Sequence, residues 1–354
     1  MTKVVVAMSG GVDSSVAAAL LQQQGYDVAG MMLRLWSESG REESNRCCTP
    51  EAMALARRVA AKLDIPFYVV DAKDVFRENV VRYFLDGYGR GQTPNPCLVC
   101  NRQIRWTFLL EHALAIGADL MATGHYARLR RREDGSIQLL RAVDRAKDQS
   151  YVLHVLDQRK LARASFPVGE YTKTEVRRMA ESFGLPTATR HDSQDLCFLA
   201  GDDYRNFLRR NASDLMTPGD IVSSEGVVIG EHTGLANYTI GQRKGLGIAS
   251  GTPLYVLGKD TATNRLRVGS IEQRATQALE ADEASWASGK PPQGSFRAEV
   301  QIRYTAKEAP AVVEVLENGS RVRVRFETPQ RDITPGQAAV FYDGEVVVGG
   351  AIIH

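Results

Sequence analysis

Two groups of residues have the types and spacing that chemistry needs, and the first is a glycine-rich string near the amino terminus. The string Ser9-Gly10-Gly11-Val12-Asp13-Ser14-Ser15 lies between a strand-like apolar run at residues 4–8 and a helix-like segment at residues 14–24. Glycine lets a backbone approach an anion closely, and a helix amino terminus offers unpaired N–H groups and a positive dipole end. The string predicts a phosphate-binding loop, with hydroxyl donors at Ser9 and Ser14 and with Asp13 placed to help hold Mg²⁺.

This string differs from the common nucleotide-binding motifs. The sequence contains neither G-x-x-x-x-G-K-[ST] nor G-x-G-x-x-G, so the usual mononucleotide and dinucleotide interpretations lack their residues. The alternative interpretation is an ordinary glycine turn capped by serine. The position between a strand and a helix, together with the hydroxyls, favours the phosphate loop.

The second group is the cysteines, Cys47, Cys48, Cys97, Cys100 and Cys197. Their number is odd, and the first residues show no secretory-signal pattern, so we expect metal binding or thiol chemistry rather than a disulfide framework. Taken alone, Cys97-Leu98-Val99-Cys100 fits a zinc half-site, a redox pair or part of an iron–sulfur ligand set. Cys47 and Cys48 have no assigned role.

The elements that must position these residues alternate in the first half of the chain. Strand-like runs occur at 4–8, 28–35, 66–70 and 118–122, and helix-like segments at 14–24, 51–63, 74–85 and 104–115. This βαβ alternation predicts an α/β fold with a doubly wound parallel sheet. Residues 89–101 contain Gly and Pro in a density that predicts a loop, which would carry two thiols.

The second half has a different texture. A hairpin is predicted at 128–142, turned at Asp134-Gly135, and helical stretches follow to about residue 185. Short β-rich runs recur from Pro218 onward and predict a small central β-rich module and a C-terminal β-barrel. We place the domains at 1–205, 206–275 and 276–354.

Composition limits the classes of function. Apolar residues make up 44% and charged residues 24% of the chain, as in globular proteins. The net charge is only +2, so a polyanionic partner would be held by local basic patches rather than by the overall field. No run approaches the roughly 18 apolar residues of a membrane span, and we expect a cytoplasmic protein.

Ordered sequence blocks indicate a family. The string at 9–15 resembles the PP-loop of ATP pyrophosphatases, which include amide-forming ligases and tRNA-modifying enzymes. The further blocks are T-P-N-P-C-L-V-C-N (93–101), A-T-G-H-Y-A-R (122–128), K-D-Q-S-Y (147–151), S-Q-D-L-C-F (193–198), G-Q-R-K-G-L-G (241–247) and T-P-G-Q (334–337). The whole series resembles the tRNA-specific 2-thiouridylase family. The resemblance implies that the C-terminal β-barrel binds tRNA.

The resemblance implies a reaction. ATP would adenylate the O2 oxygen of the wobble uridine in the tRNA anticodon loop, and sulfur would displace AMP to give 2-thiouridine. Cys197 would carry a persulfide received from a sulfur-relay protein or a cysteine desulfurase, and Cys100 would be the nucleophile that forms a transient disulfide with it. Many members carry Asp at the position of Cys97, so this third thiol could instead complete an iron–sulfur cluster with Cys100 and Cys197.

The resemblance also implies binding residues. The expected ATP-binding residues are Ala7, Met8, Ser9, Gly10, Gly11, Val12, Asp13, Ser14, Leu33 and Gly124. The expected tRNA-binding residues are Asn95, Pro96, Cys97, His125, Lys147, Asp148, Gln149, Arg303, Tyr304 and Gln337. For His125 a capping or packing role is the alternative. Two rival functions are a PP-loop amide ligase and a non-enzymatic RNA-binding protein with a zinc-stabilised loop.

Overall fold

The structure is a computed structural model that describes residues 1–38, 40, 49–190, 196–199 and 201–354. Cys47, Cys48 and the first three residues of the 193–198 block lie outside these ranges. Within them, no helix has the length and apolar character that a bilayer crossing requires.

The first part of the chain alternates strands and helices as expected. Its elements are β1 (Lys3–Ala7), α1 (Val12–Gln23), β2 (Asp27–Arg34), α2 (Pro50–Lys62), β3 (Phe67–Asp71), α3 (Lys73–Phe76), α4 (Arg82–Gly89), α5 (Pro96–Val99), α6 (Leu110–Ala115), β4 (Leu120–Thr123), β5 (Arg128–Arg131), β6 (Ile137–Leu140), α7 (Ser150–Leu153), α8 (Gln158–Leu161), β7 (Ala164–Ser165) and α9 (Lys173–Ser182). A π-helical turn, Arg77–Val81, joins α3 to α4.

Five of these strands form a parallel sheet in the order β3-β2-β1-β4-β7. Successive residues of β1 point to opposite faces, so Val5 packs in one apolar cluster while Val4 and Val6 pack in another. The second cluster includes the inner sides of α1, α2 and α9. Both faces of the sheet are covered, which confirms the doubly wound α/β prediction.

The strand order reverses between β1 and β4, which are neighbours in the sheet. From β1 the chain continues to β2 and β3 on one side, and from β4 it continues to β7 on the other. Crevices at such switch points, at the carboxyl ends of the strands, are the usual ligand sites of this architecture. The glycine-rich string connects β1 to α1 there. Gly124 lies directly after β4. Any larger residue there would collide with the loop, because a Cβ at this position would lie 2.6 Å from the Ser14 nitrogen.

The segment that carries two thiols is partly helical, so the prediction of a loop over 89–101 was wrong for its second half. Pro96 occupies the first helical position, and the Asn95 side chain accepts a hydrogen bond from the Cys97 nitrogen at 3.1 Å. Both features favour helix initiation. The helix runs from α5 through a π-helical stretch, Cys100–Leu109, into α6, and we call residues 96–115 the thiol helix.

The remaining elements are α10 (Tyr204–Asn211), β8 (Gly219–Val222), β9 (Val228–His232), β10 (Tyr255–Asp260), β11 (Arg265–Gly269), β12 (Ala275–Trp286), β13 (Ser295–Gln301), β14 (Ala309–Leu316), β15 (Arg321–Arg331), β16 (Ala338–Asp343) and β17 (Val346–Ile353). The first four strands form a sheet in the order β10-β11-β8-β9. The last six form a barrel that closes where β12 pairs with β17. The predicted β-rich module and C-terminal barrel are confirmed.

The barrel is joined to the first part of the chain at two places. The hairpin β5–β6 was predicted, but its partner was not: Leu140 pairs with Val346, so the hairpin extends the barrel's sheet. At the second junction the Thr93 nitrogen donates to the Pro335 oxygen at 2.8 Å, and the Gln337 amide donates to the Thr93 oxygen at 2.7 Å. The barrel therefore holds the residues immediately before the thiol helix.

Candidate nucleotide and thiol site

A cavity of about 350 Å³ lies at the switch point of the parallel sheet, and both predicted groups of reactive residues reach it. Cys100 of the thiol helix is among its lining residues. The lining also includes nine of the ten residues expected to bind ATP, namely Ala7, Met8, Ser9, Gly11, Val12, Asp13, Ser14, Leu33 and Gly124. The tenth, Gly10, is not among the lining residues.

Gly10 instead shapes the loop from behind. Its φ is +70°, which favours glycine, and a Cβ there would collide with the Ala52 carbonyl of α2. Its carbonyl oxygen accepts a hydrogen bond from the Arg190 guanidinium at 2.6 Å. The Ser15 hydroxyl donates to the Gly11 oxygen at 2.8 Å and is used within the loop. Gly10 thus orients the following residues, whose N–H groups begin α1, towards the cavity.

The charge in the cavity suits a polyphosphate. Its described lining has four basic side chains, Arg105, Lys147, Lys173 and Arg190, against one carboxylate, Asp13. The Lys173 ammonium donates to both Asp13 oxygens, at 2.7 and 2.9 Å, and the Tyr126 hydroxyl donates to one of them at 2.8 Å. Asp13 therefore positions Lys173, and the net charge of the lining remains positive.

Mg²⁺ has little to bind on the protein side of this cavity. Both oxygens of Asp13 already accept hydrogen bonds from Lys173, and the described part of the chain has no group of three His, Cys, Asp or Glu side chains suited to a metal ion. The Mg²⁺ that accompanies ATP would therefore enter the cavity as part of the substrate.

His125 lines the cavity but is only 6% exposed. A guanidinium can only donate, so its 3.1 Å contact with Arg105 makes the histidine Nε2 an acceptor. The Nδ1 proton is then directed to the Thr123 hydroxyl, at 2.8 Å. Burial, and next the charge of Arg105, hold the pKa of His125 well below its usual value. His125 is a neutral ring that orients Arg105, in line with the packing alternative, and its tRNA contact stays a prediction.

The three described thiols occupy different environments, and none forms a disulfide. Cys97 is exposed, Cys100 is 8% exposed and lines the cavity, and Cys197 is partly buried. Cys197 packs into the same apolar cluster as Cys100, beside Phe198. Phe198 is held by edge-on contacts with Phe76, Phe84 and Phe207, at centroid distances of 5.2 to 6.1 Å. This aromatic cluster fixes the backbone that carries Cys197.

The same three thiols do not form a cluster site in this arrangement. Among the residues that the structure describes, no three Cys, His, Asp or Glu side chains converge as metal ligands. The described residues therefore do not fit an iron–sulfur cluster.

Several of the residues expected to contact tRNA line two cavities that share Tyr304. Lys147, Gln149 and Tyr304 line the main cavity, while Arg303, Tyr304 and Gln337 line a neighbouring cavity of about 240 Å³. Tyr304 belongs to both, so the two cavities adjoin at this ring. Burial, followed by the charges of Asp148 and Cys97, raises the pKa of Tyr304, so its hydroxyl stays protonated at neutral pH.

Two of these expected contacts have structural partners. The Asp148 carboxylate is 7% exposed, pairs with Arg141 at 3.6 Å and accepts hydrogen bonds from Ala142 and Ser150. The Asn95 side chain caps the thiol helix. Asp148 and Asn95 thus shape the segments on which Lys147, Gln149 and Cys97 lie, and their contacts with tRNA remain predictions.

Sequence reasoning missed several cavity residues. Arg105, Tyr126, Lys173 and Arg190 are separated from the phosphate loop by about 90 to 180 positions in the chain. One local signal existed for Lys173, which follows the helix cap Thr172 in a capping box with Glu175. That pattern predicts the start of α9 but not the carboxylate that its first residue meets.

Comparisons with known proteins identify the family. Residues 2–201 match a family model described as the tRNA methyl transferase HUP domain, 205–270 a tRNA methyl transferase PRC-barrel domain, and 276–353 an aminomethyltransferase beta-barrel domain. A tRNA-specific 2-thiouridylase MnmA of Chloroflexus aggregans is 51% identical, covering 100% of this chain and 98% of the relative. The chain belongs to the tRNA-specific 2-thiouridylase family.

Two further 2-thiouridylases support the same assignment. The MnmA of Roseiflexus castenholzii is 49% identical over 100% of this chain and 99% of its own, and that of Pelotomaculum thermopropionicum is 48% identical over 100% and 97%. The family-model descriptions mention methyl transfer, whereas these full-length relatives are named for thiolation. The resemblance carried by the ordered sequence blocks is confirmed.

Lys173→Met should weaken ATP binding. The change removes a cation from the cavity and leaves the Asp13 carboxylate without its positively charged partner. We expect the dissociation constant for ATP to rise roughly ten- to a hundredfold, as for loss of one charged hydrogen bond. Isothermal titration calorimetry measures this, with exposed Lys290→Met as the control. Equal affinity in both variants would contradict the assignment of Lys173.

Gly336→Ala should disturb the loop before the thiol helix. The φ of Gly336 is +89°, and a Cβ there would lie 3.0 Å from both the Gln92 Cβ and the Thr93 carbonyl carbon. Gly344→Ala is the matched control, since its φ is +55° and its Cβ would face open space. Both variants should lose about 1–2 kcal/mol for the left-handed backbone. Only Gly336→Ala should increase the rate at which buried Cys100 is alkylated, measured by peptide mass spectrometry. Equal alkylation rates in the two variants would contradict the role of the barrel in holding the segment before the thiol helix.

Proposed function

We propose that this chain is an ATP-dependent tRNA sulfurtransferase that makes 2-thiouridine at the wobble position. It adenylates the O2 oxygen of uridine and replaces that oxygen with sulfur, releasing AMP and pyrophosphate. One observation carries the proposal: the phosphate loop and the Cys100 thiol line the same cavity. An ATP-activated oxygen and an incoming sulfur would therefore meet in one place.

The cavity supports the activation step. A pyrimidine carbonyl oxygen is a poor leaving group, and transfer of AMP to it creates a good one. The N–H groups at the start of α1, with Lys173, Lys147 and Arg190, would hold the triphosphate of the Mg²⁺–ATP substrate and stabilise the charge on departing pyrophosphate. Arg105, oriented by neutral His125, would supply a further positive charge.

The thiols support the transfer step. Cys197 would receive a sulfane sulfur from a sulfur-relay protein or a cysteine desulfurase and carry it as a persulfide. Attack of the Cys100 thiolate on the Cys197 Sγ would release hydrosulfide, which displaces AMP from C2. Alternatively, the persulfide attacks C2 directly and Cys100 then releases the product sulfur. On either route two thiol-derived electrons reduce the sulfane sulfur, and a Cys100–Cys197 disulfide remains.

The iron–sulfur alternative at Cys97, Cys100 and Cys197 makes a different prediction about metal content. The arrangement of the described thiols favours the persulfide route. With a cluster, protein purified without oxygen would contain iron in stoichiometric amounts. Loss of both this iron and the activity in Cys97→Asp would favour the cluster instead.

The opening of the cavity supports tRNA as the substrate. A uridine in the anticodon loop must leave its stack before its C2 edge can reach the thiol and the phosphates. Tyr304 is 42% exposed and lines both cavities, and its ring would offer a stacking surface for a displaced base. Asn95, Pro96 and Cys97 would meet that base, and Arg303 and Gln337 on the barrel would hold the RNA. A tRNA substrate and reduced thiols are consistent with a cytoplasmic location.

The reaction itself tests the proposal. Incubation with ATP, Mg²⁺, a persulfide donor and unmodified tRNA should yield 2-thiouridine and AMP, measured by nucleoside analysis and nucleotide chromatography. Cys100→Ser and Cys197→Ser should each abolish 2-thiouridine while leaving ATP affinity unchanged. Activity retained with Ser at 97, 100 and 197 would favour an amide ligase, and stoichiometric zinc without AMP formation would favour the binding protein.

Arg303→Ala should weaken tRNA binding without affecting ATP binding. Arg303 lines the smaller cavity together with Tyr304 and Gln337, where its guanidinium would meet a phosphate of the RNA. Loss of one phosphate contact should lower the slope of log K against log salt by about 0.9. Arg297→Ala, an exposed position on β13, is the control for removing a positive charge from the barrel. Filter binding across a salt series measures both, and identical slopes would remove Arg303 from the RNA surface.

A further inference from the structure

Cys97 and Cys100 form a pair in the first turn of the thiol helix. Cys97 is exposed, whereas Cys100 is 8% exposed and lines the cavity. Residues three apart on a helix are neighbours on one face. One thiol of the pair is thus accessible from outside and the other from the reaction site, an arrangement that suits transfer of a disulfide from the interior to the surface.

The proposed reaction creates a need for such a transfer, and the inference below rests on that proposed function. Each cycle on the thiol route ends with a Cys100–Cys197 disulfide, yet Cys197 must be a thiol to accept the next sulfur. Cys100 is buried, and Cys197 packs against the Phe198 cluster. Thiol–disulfide exchange requires access of a thiolate to a sulfur atom, so a protein dithiol has poor access to the Cys100 sulfur of this bond.

We propose that Cys97 is the resolving thiol of the catalytic cycle. The Cys97 thiolate attacks the Cys100 Sγ, the Cys100–Cys197 bond breaks, and Cys197 leaves as a thiolate that can accept sulfur again. One sulfur of the new Cys97–Cys100 disulfide, that of Cys97, is then exposed to solvent. A dithiol reductant attacks the Cys97 Sγ, restores both cysteines as thiols and is itself oxidised to a disulfide.

The local backbone favours this bond. Cβ atoms three residues apart on a helix are about 5–6 Å apart, and a disulfide needs about 3.8 Å, so the turn must tighten. The Cys100 nitrogen donates to the Cys97 oxygen as well as to the Pro96 oxygen. The first of these is the i to i+3 bond of a 3₁₀ turn, which brings side chains three apart into line. Tightening therefore keeps a hydrogen bond that already exists.

A competing role for Cys97 is available. Many family members carry Asp there, and a carboxylate at this position would act in proton transfer or base contact rather than in redox exchange. The two roles predict different outcomes for one pair of variants, because Cys97→Asp preserves an acid–base group while removing the thiol, and Cys97→Ser removes both.

The position of the disulfide after turnover tests the proposal. Full-length protein is loaded with persulfide and supplied with ATP and unmodified tRNA without external reductant. Acid then stops thiol exchange, and the protein is denatured, alkylated with excess maleimide at slightly acidic to neutral pH and digested with trypsin. Cys97 and Cys100 share the peptide 91–102, and Cys197 lies in the peptide 191–205. Each disulfide species is counted per 2-thiouridine formed, so that a change in reaction rate does not affect the result.

We expect the natural protein to accumulate peptide 91–102 lighter by two hydrogens, with Cys197 alkylated. Cys97→Ser and Cys97→Asp should instead both accumulate 91–102 linked to 191–205. A linked pair in the natural protein, with Cys97 alkylated, would overturn the resolving role. So would Cys97→Asp matching the natural protein in repeated turnovers with a protein dithiol as reductant.

One further outcome separates this inference from the proposed function. If Cys97→Ser forms 2-thiouridine without any linked peptides, then no Cys100–Cys197 disulfide exists, and both the disulfide step and the role of Cys97 are overturned. If the linked pair forms in Cys97→Ser but the light 91–102 peptide never appears in the natural protein, the proposed function stands and only the resolving role falls.

Discussion

The site depends on one close backbone approach, between the residue directly after β4 and the first turn of α1. A Cβ on Gly124 would lie 2.6 Å from the Ser14 nitrogen and 3.0 Å from the Asp13 Cβ. Because glycine permits this contact, the residues after it, His125 and Tyr126, enter the cavity directly beside the phosphate loop. Tyr126 then reaches Asp13, and His125 reaches Arg105.

Charge placement follows from that approach. Asp13 is held between Lys173 and Tyr126, so the one described carboxylate of the lining serves to position a lysine. Burial and the neighbouring guanidinium keep His125 neutral, which prevents a second positive charge from repelling Arg105. The lining of the cavity therefore keeps an excess of positive charge, which favours binding of a triphosphate.

The barrel contributes to the site through its attachment as well as its surface. Pro335 and Gln337 hydrogen-bond to Thr93, just before the thiol helix, and Tyr304 forms part of the cavity wall. A displacement of the barrel would therefore move both Tyr304 and the segment that leads to Cys97 and Cys100. This coupling gives a physical reason for an RNA-holding barrel and a sulfur-transfer site to occur on one chain.

The sequence by itself determined the alternation of strands and helices, the phosphate loop and the family, since these depend on local spacing, on glycines and on the order of short blocks. It also indicated Cys100 beside the nucleotide residues. Only the tertiary structure decided that Arg105, Lys173 and Arg190 share the cavity, that the hairpin at 128–142 joins the barrel, and that Asp148 is buried in an ion pair. Such contacts join residues far apart in the chain, and no local pattern encodes them. The start of the thiol helix is an intermediate case. Asn95 and Pro96 are residues that favour a helix start, but the other Gly and Pro residues of 89–101 favour a loop, and only the tertiary structure shows where the loop ends and the helix begins.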